Sequence, residues 1–243
     1  MTNPTAAIII IGDEILSGRT QDTNTQYIAK ALTSVGIDLV NSTTIADHTD
    51  TIVETVKAAS RGYDYVFTTG GIGPTHDDIT STAIASAFEL PLELNDEAYK
   101  EIKNYYDQRG LEVNEARKKM AYIPKTATLI NNSVSGAPGF VVSNVYVLPG
   151  VPNIMQPMIS EILPTLKHGI PIISVSVDIM VMESIIASDL SDLQTKYSLV
   201  QIGSYPFENN GKYGTTLVLR SANTQMLKEA HGELKSILNK IIK

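Results

Sequence analysis

Cysteine is absent from all 243 residues. That excludes disulfides, thiolate zinc sites and cysteine nucleophiles together. Histidine is scarce, with four copies scattered along the chain, and no two have the spacing of a metal-ligand motif. Positive charge is also in deficit. The 19 Lys and Arg against 26 Asp and Glu leave a formal net charge of −7. A surface that binds nucleic acid broadly needs an excess of cations to displace counterions from phosphates, so no nucleic-acid partner is expected. Long apolar runs are missing as well. Nothing approaches the ~20 residues a membrane-spanning helix needs, so no membrane partner is expected. Met1 to Thr5 contains no Lys or Arg, and the apolar run Ala6 to Ile11 is too short for a secretory signal. A cytoplasmic setting is the expectation. The chain has no internal repeat and no low-complexity tract.

What the chain does have is concentrated between Tyr63 and Phe88. The apolar run Tyr65-Val66-Phe67 has the character of a buried parallel strand. Gly70, Gly71 and Gly73 follow, closed by Pro74, and then two adjacent carboxylates, Asp77 and Asp78. Thr80 is placed to cap a helix whose apolar stripe is Ala83, Ile84, Ala87 and Phe88. Glycines let backbone amides approach a phosphate, and a helix N-terminus offers unpaired N–H groups. Carboxylates beside a phosphate repel it unless a divalent cation lies between them. The segment therefore reads either as a metal-bridged phosphate site or as a tight turn with solvated aspartates.

The remaining pattern favours the site. Ala6 to Ile11 reads as a central parallel strand, ending at Gly12-Asp13-Glu14. A helix follows with Ile28, Ala31, Leu32 and Val35 inward, stopped by Gly36. The next strand lies within Ile37 to Ile45 and ends before Asp47. Thr51 and Glu54 have the capping-box spacing for the helix after it. Short alternation of strand and helix predicts a doubly wound, mostly parallel sheet, with ligands at the carboxyl ends of its strands. Asp13, Asp47 and the Gly70–Asp78 turn fall at that edge.

Further on come an amphipathic helix from Asp96 to Gln108 and a short basic helix from Asn114 to Met120. A small-residue loop spans 131–139, and a Pro-Gly-Val-Pro turn spans 149–152. The basic helix is either a solvated face or positive charge near the phosphate site. From Pro171 the texture changes. A β-α-β-β-α order, with strands at Val200–Tyr205 and Thr215–Leu219 around a loop at 206–214, predicts a small α+β domain. It has no G-x-x-G loop, against RNA binding. The domains expected are 1–169 and 170–243.

GDEILSGRTQDTN at 12–24, TTGGIGPTHDD at 68–78, SGAPGF at 135–140 and LPGVP at 148–152 resemble the molybdopterin-binding domain of molybdenum-cofactor biosynthesis. The likeness is closer to the N-terminal half of the competence/damage-inducible protein A (CinA) family, and IGSYPF at 202–207 resembles the small domain that follows there. The resemblance implies a three-layer α/β/α domain plus a smaller C-terminal α+β domain. It also implies a divalent metal (Mg, Mn or Co) with a nucleotide or pterin phosphate as ligand, and a homo-oligomer, dimer or trimer. Asp47 and Asp78 match the metal and catalytic positions, with Asp77 beside them. Thr69, Gly70, Gly71, Ile72 and Gly73 match the phosphate cradle, and Asp13, Asn24, Ser135, Pro149 and Gly150 match other pocket positions. Relatives that adenylate molybdopterin usually carry an arginine where Asp77 stands, and many CinA proteins continue into an amidase domain that this chain ends before. The resemblance thus implies a metal-dependent pyrophosphatase acting on ADP-ribose or FAD. Binding or adenylating molybdopterin, and non-catalytic nucleotide binding, are the alternatives.

Overall fold

A computed structural model describes residues 2–241. The chain forms two compact units, Met1–Gly169 and Ile170–Lys243.

In the first unit, β1 (Thr5–Ile11) is followed by a one-turn helix α1 (Asp13–Leu16) and by α2 (Asn24–Ser34). Then come β2 (Asp38–Ile45), α3 (Thr49–Gly62), β3 (Tyr65–Thr69) and α4 (Thr80–Ala87). A two-stranded annex of β4 (Leu92–Leu94) with a later strand encloses α5 (Asp96–Asp107) and α6 (Glu115–Lys119) in sequence; its second strand is β5 (Tyr122–Pro124). β6 (Thr128–Ile130), β7 (Gly139–Val142), β8 (Val145–Leu148) and α7 (Pro152–Ile162) complete the unit.

The main sheet has the order β2-β1-β3-β8-β7-β6. β2, β1, β3 and β8 run parallel, while β7 and β6 are antiparallel additions. Both faces are covered, as a parallel sheet requires. Side chains alternate along β1. Ile9 and Ile11 pack with Ile52 and Val56 of α3 and Ile84 of α4. Ile8 and Ile10 pack with Ile28 and Leu32 of α2 and Met155 and Ile159 of α7. Each such buried aliphatic side chain is worth about 1.5–3 kcal/mol relative to exposure. This is the three-layer α/β/α architecture expected from the sequence. From β1 the chain passes to β2 on one side, and β3 then lies on the other, so the crevice between the β1 and β3 tips is the topological switch point.

Two local expectations are corrected here. α3 starts at Thr49, with His48 at the cap and no side-chain cap bond, so Thr51 and Glu54 do not form a capping box. Thr80 does not cap α4 either. It is the first helical residue, after Ile79, and its hydroxyl is buried without a partner.

The second unit contains β9 (Ile173–Ile179), α8 (Glu183–Lys196), β10 (Gln201–Asn209), β11 (Lys212–Ser221) and α9 (Thr224–Ile241). Its antiparallel sheet has the order β10-β11-β9. The helices bury Ile186, Leu190, Leu227 and Leu234 against Leu217 and Leu219. The α+β order matches expectation, but the loop expected at 206–214 does not exist. Pairing runs unbroken to Asn209 opposite Lys212. Asn210 (φ 52) and Gly211 (φ 76) make the turn, the two-residue Asn-Gly geometry whose twist suits paired strands. Pro206 is tolerated because β10 is an edge strand.

Candidate active site at the carboxyl edge of the sheet

The glycine turn begins where β3 ends. Gly70 donates its N–H to the Leu148 carbonyl at 3.0 Å, which holds the turn against the tip of β8. Its φ is +113, and a Cβ there would lie 2.1 Å from the Ile11 carbonyl oxygen of β1. Only glycine fits such an approach of two backbones. Gly71 (φ +67) accepts from the Thr80 N–H at 2.9 Å, tying the turn to the start of α4.

The turn forms one wall of a cavity of about 530 Å³. Gly71, Ile72, Gly73 and Asp78 line it, with Ser135 and Ala137 from the small-residue loop and Pro149, Gly150, Val151 and Pro152 from the turn before α7. Glu14, Thr20, Tyr106, Met120 and Asn132 complete most of the lining. Another cavity of similar size, beside β1 and α3, is lined chiefly by small and polar residues such as Asn41, Thr55 and Ala58, and contains none of the expected site residues.

Each wall has its own support. Asn132 is buried and organises the small-residue loop. Its Oδ1 accepts from the N–H groups of Val134 (3.1 Å) and Ser135 (3.0 Å), and its Nδ2 donates to Ser135 Oγ and the Ala137 carbonyl, both at 2.7 Å. Asn24 Nδ2 donates to the Gly150 carbonyl at 2.8 Å, joining α2 to the turn before α7. Opposite, the Arg117 guanidinium covers the Tyr106 ring at 4.1 Å from its centroid. Lys119 Nζ donates to the Thr75 carbonyl. Of the two readings of the basic helix, α6 therefore sets positive charge against the glycine turn.

The acidic residues divide into two groups. Asp78 Oδ2 accepts from the Thr75 N–H at 2.8 Å and the Thr75 hydroxyl at 2.5 Å, and it stands within 2.7 Å of where a Cβ on Gly73 would lie. Asp77 beside it is exposed. Its pKa is held below the usual 3.8 by Thr75 first, then by its own backbone N–H, with His76 and Lys119 adding to the effect. Asp47 lies at the tip of β2, where its carboxylate accepts from the Asp13 N–H and its own N–H donates to the Asp13 carboxylate. Burial raises its pKa above 3.8, and the negative charges of Asp13, Glu14 and Asp77 raise it further, against the lowering by the Asp13 N–H. Among the described residues no three His, Asp or Glu side chains converge as a ready metal cluster.

Of the residues expected from sequence, Gly71, Ile72, Gly73, Asp78, Ser135, Pro149 and Gly150 line the cavity. Asn24 and Thr69 line a smaller chamber beside it. Gly70 shapes the turn from behind, and Asp13, Asp47 and Asp77 form an acidic rim outside the lining. The sequence reading missed Glu14, Thr20, Tyr106, Met120 and Asn132. Asn132 had a signal, since an Asn before a Ser-Gly loop commonly caps its own turn. Tyr106 and Met120 had none, because the long excursion through α5 and α6 brings them there.

The model of the family described as "Probable molybdopterin binding domain" matches residues 7–168. The chain belongs to this molybdopterin-binding-domain family. The model of "FAD synthase, middle domain" matches residues 171–243. Among similar proteins, one from Caldivirga maquilingensis is 35% identical over 98% of this chain and 95% of its own length. A "Probable FAD synthase" of Caenorhabditis elegans is 32% identical over 96% of this chain, which spans only 50% of that relative. In the solved structure of the protein CinA with unknown function from Thermoplasma acidophilum, the molybdopterin-binding-type fold superposes with a TM-score of 0.61 at 33% identity, covering 66% of this chain and 98% of that one. Among the described residues no helix is long and apolar enough to cross a membrane.

Proposed function

We propose that the cavity binds a nucleotide through its phosphates and hydrolyses the pyrophosphate of a dinucleotide such as FAD or ADP-ribose. The observation that carries this reading is convergence. The glycine turn, Asp78, the Ser135 loop and the Pro149–Gly150 turn come from separate segments and line one cavity. A cavity of about 530 Å³ falls within the roughly 300–1,000 Å³ of small-molecule sites. The FAD synthase relative and the FAD synthase middle-domain match support a flavin dinucleotide as ligand.

The same reading includes a divalent cation, for which the acidic rim supplies hard oxygen donors. Asp47 is partly buried among the charges of Asp13, Glu14 and Asp77, with no Lys or Arg among the influences on it. A hard cation with oxygen ligands relieves that repulsion. Asp47 and Asp78 would hold it. When bound, it would supply Lewis acidity to the phosphates and lower the pKa of a water.

The chain's own residues do the rest. Backbone amides of the Gly71–Gly73 turn bind phosphate oxygens and stabilise charge developing on phosphorus. Lys119 adds positive charge at the same turn. Asp77, the exposed carboxylate beside the turn, accepts a proton from the attacking water. The water oxygen bonds to one phosphorus as its bond to the bridging oxygen breaks. FAD then yields FMN and AMP, and ADP-ribose yields AMP and ribose 5-phosphate. Asp77, in place of an arginine, favours hydrolysis over adenylate transfer, because a carboxylate there does not steady a transferred phosphate.

Chromatographic detection of AMP from FAD and ADP-ribose, with Mg²⁺, Mn²⁺ or Co²⁺ and with EDTA, tests this reading. Metal-dependent AMP release lost in Asp78→Asn supports it, and unchanged turnover in that variant refutes the mechanism. The domain family also supports a second reading, in which the pterin phosphate of molybdopterin occupies the same cradle. Calorimetry with molybdopterin, with and without ATP and under anaerobic conditions, separates the two. Tight nucleotide binding without turnover would assign a non-catalytic binding role instead.

A further inference from the structure

A chamber of about 60 Å³ adjoins the main cavity at the carboxyl edge of the sheet. The two share Glu14, Thr20, Gly150 and Pro152 in their walls. Thr69 lies on the α2 and α7 side of the sheet, the same side as Phe67 two residues earlier. Asn24, 6% exposed, and Thr69, 1% exposed, both line the chamber. Neither Asn24 Oδ1 nor Thr69 Oγ1 has a hydrogen-bond partner. Buried polar atoms are almost always paired, so two orphans in one small chamber point to a group that pairs with them.

The chemistry of that group follows from what is already engaged. Asn24 spends its amide N–H on the Gly150 carbonyl, so its Oδ1 is fixed as an acceptor. Asp22 Oδ1 takes the N–H groups of Asn24 (2.8 Å) and Thr25 (3.2 Å). The Glu14 carboxylate is folded back within 2.7 Å of where a Cβ on Gly12 would lie. Asn24 Oδ1 and Thr69 Oγ1 are the buried oxygens left without a partner there, beside the side chains of Thr20, Gln21 and Thr23 in the same walls. Among the described residues no three His, Asp or Glu side chains converge there as a cation site would want. The two orphaned oxygens match two neighbouring hydroxyls, one donating to Asn24 Oδ1 and one exchanging a hydrogen bond with Thr69. Ile10, Ile15 and Pro152 supply an apolar wall for the carbons that carry them.

We propose that this chamber is a diol subsite, holding the vicinal hydroxyls of a ribose in the nucleotide whose phosphates lie on the Gly71–Gly73 turn. The inference rests on the nucleotide-binding reading of the main cavity and assigns the part of the ligand that determines its sugar specificity.

Calorimetry on the full chain with two ligand pairs tests it. ADP against 2′,3′-dideoxy-ADP probes the adenosine ribose, and ADP-ribose against ADP probes the terminal ribose. For the wild type, one pair should differ about 5- to 30-fold in Kd, the range of one or two hydrogen bonds. Asn24→Leu and Thr69→Val should each shrink that ratio towards one, while the weaker ligand of the pair keeps its affinity. Thr69→Val is nearly isosteric and decides the matter if Asn24→Leu does not fold. Ratios under twofold for both pairs in the wild type overturn the proposal. So does a ratio that survives in both variants, which would mean that water fills the chamber. If the wild type binds none of the ligands, the nucleotide reading itself falls and takes the subsite with it.

Discussion

The backbone N–H of Asp13 donates to Asp47 Oδ2 at 2.9 Å, and the Asp47 N–H points back at Asp13 Oδ1 at 3.4 Å. The tips of β1 and β2 thus hold each other's carboxylates close, although like charges repel. A carboxyl raised above its ordinary 3.8 destabilises the fold once ionised. Its penalty begins near that value and is complete once the pH passes the raised folded value. Asp47→Asn keeps an acceptor for the Asp13 N–H and removes the charge. At neutral pH its melting temperature should equal or exceed that of the wild type, while metal-dependent AMP release should fall about 100-fold or more, roughly 2.7 kcal/mol in the barrier. Differential scanning calorimetry and an AMP assay read both halves.

Gly70→Ala should damage the fold more than any exposed-loop change. The added methyl would lie 2.1 Å from the Ile11 carbonyl oxygen, in a residue at φ +113. Overpacking commonly costs about 1–3 kcal/mol, and a side chain in sparsely populated backbone space about 1–3 kcal/mol more. Urea unfolding should show a loss of at least about 2 kcal/mol at an unchanged m-value.

Removal of the Asn132 side chain deletes both acceptor bonds and both donor bonds of the small-residue loop. Leaving such buried groups unpaired costs about 1–3 kcal/mol each in the worst case, less where water enters. For Asn132→Ala, a stability loss near 2 kcal/mol is the expected outcome. Nucleotide Kd should rise as well, because Ser135 and Ala137 lose their fixed position. Asn132→Asp, which keeps the acceptors, should retain more stability than Asn132→Ala.

The start of β1 carries a pH-dependent contact. Asp64 Oδ2 accepts from the Thr5 N–H at 2.7 Å and the Thr5 hydroxyl at 2.9 Å. These bonds, with Lys167 nearby, lower its pKa below 3.8. A depressed carboxyl contributes stability that is present above 3.8 and is lost as the pH falls through the lower folded value. Asp64→Asn should therefore melt below the wild type at pH 7, and the gap should close as the pH falls below 3.8 and through the lowered folded value. Asp64 is exposed, so the gap should be small.

The parallel core was legible because β1 is apolar on both faces, which only a strand covered on two sides tolerates. The glycine turn was legible for a similar reason: Gly70 sits where two backbones nearly touch, and no other residue can. Capping was less so. Thr51 and Glu54 had the correct spacing for a capping box, but α3 starts two residues earlier, at Thr49, with His48 in the cap position. The hairpin turn has its signal in the Asn210-Gly211 pair, and the span 206–214 expected as a loop is strand up to Asn209 because an edge strand accommodates Pro206. The far wall of the cavity could not be read. Tyr106 and Met120 reach it by tertiary packing, and no local pattern records that.

The most direct measurement is a crystal of the chain soaked with ADP-ribose and Mn²⁺. The expected result is the pyrophosphate against the backbone of Gly71 to Gly73, with Mn²⁺ between phosphate oxygens and Asp47 and Asp78. Ligand density away from that turn, or phosphates bound there with both carboxylates untouched by metal, would contradict it.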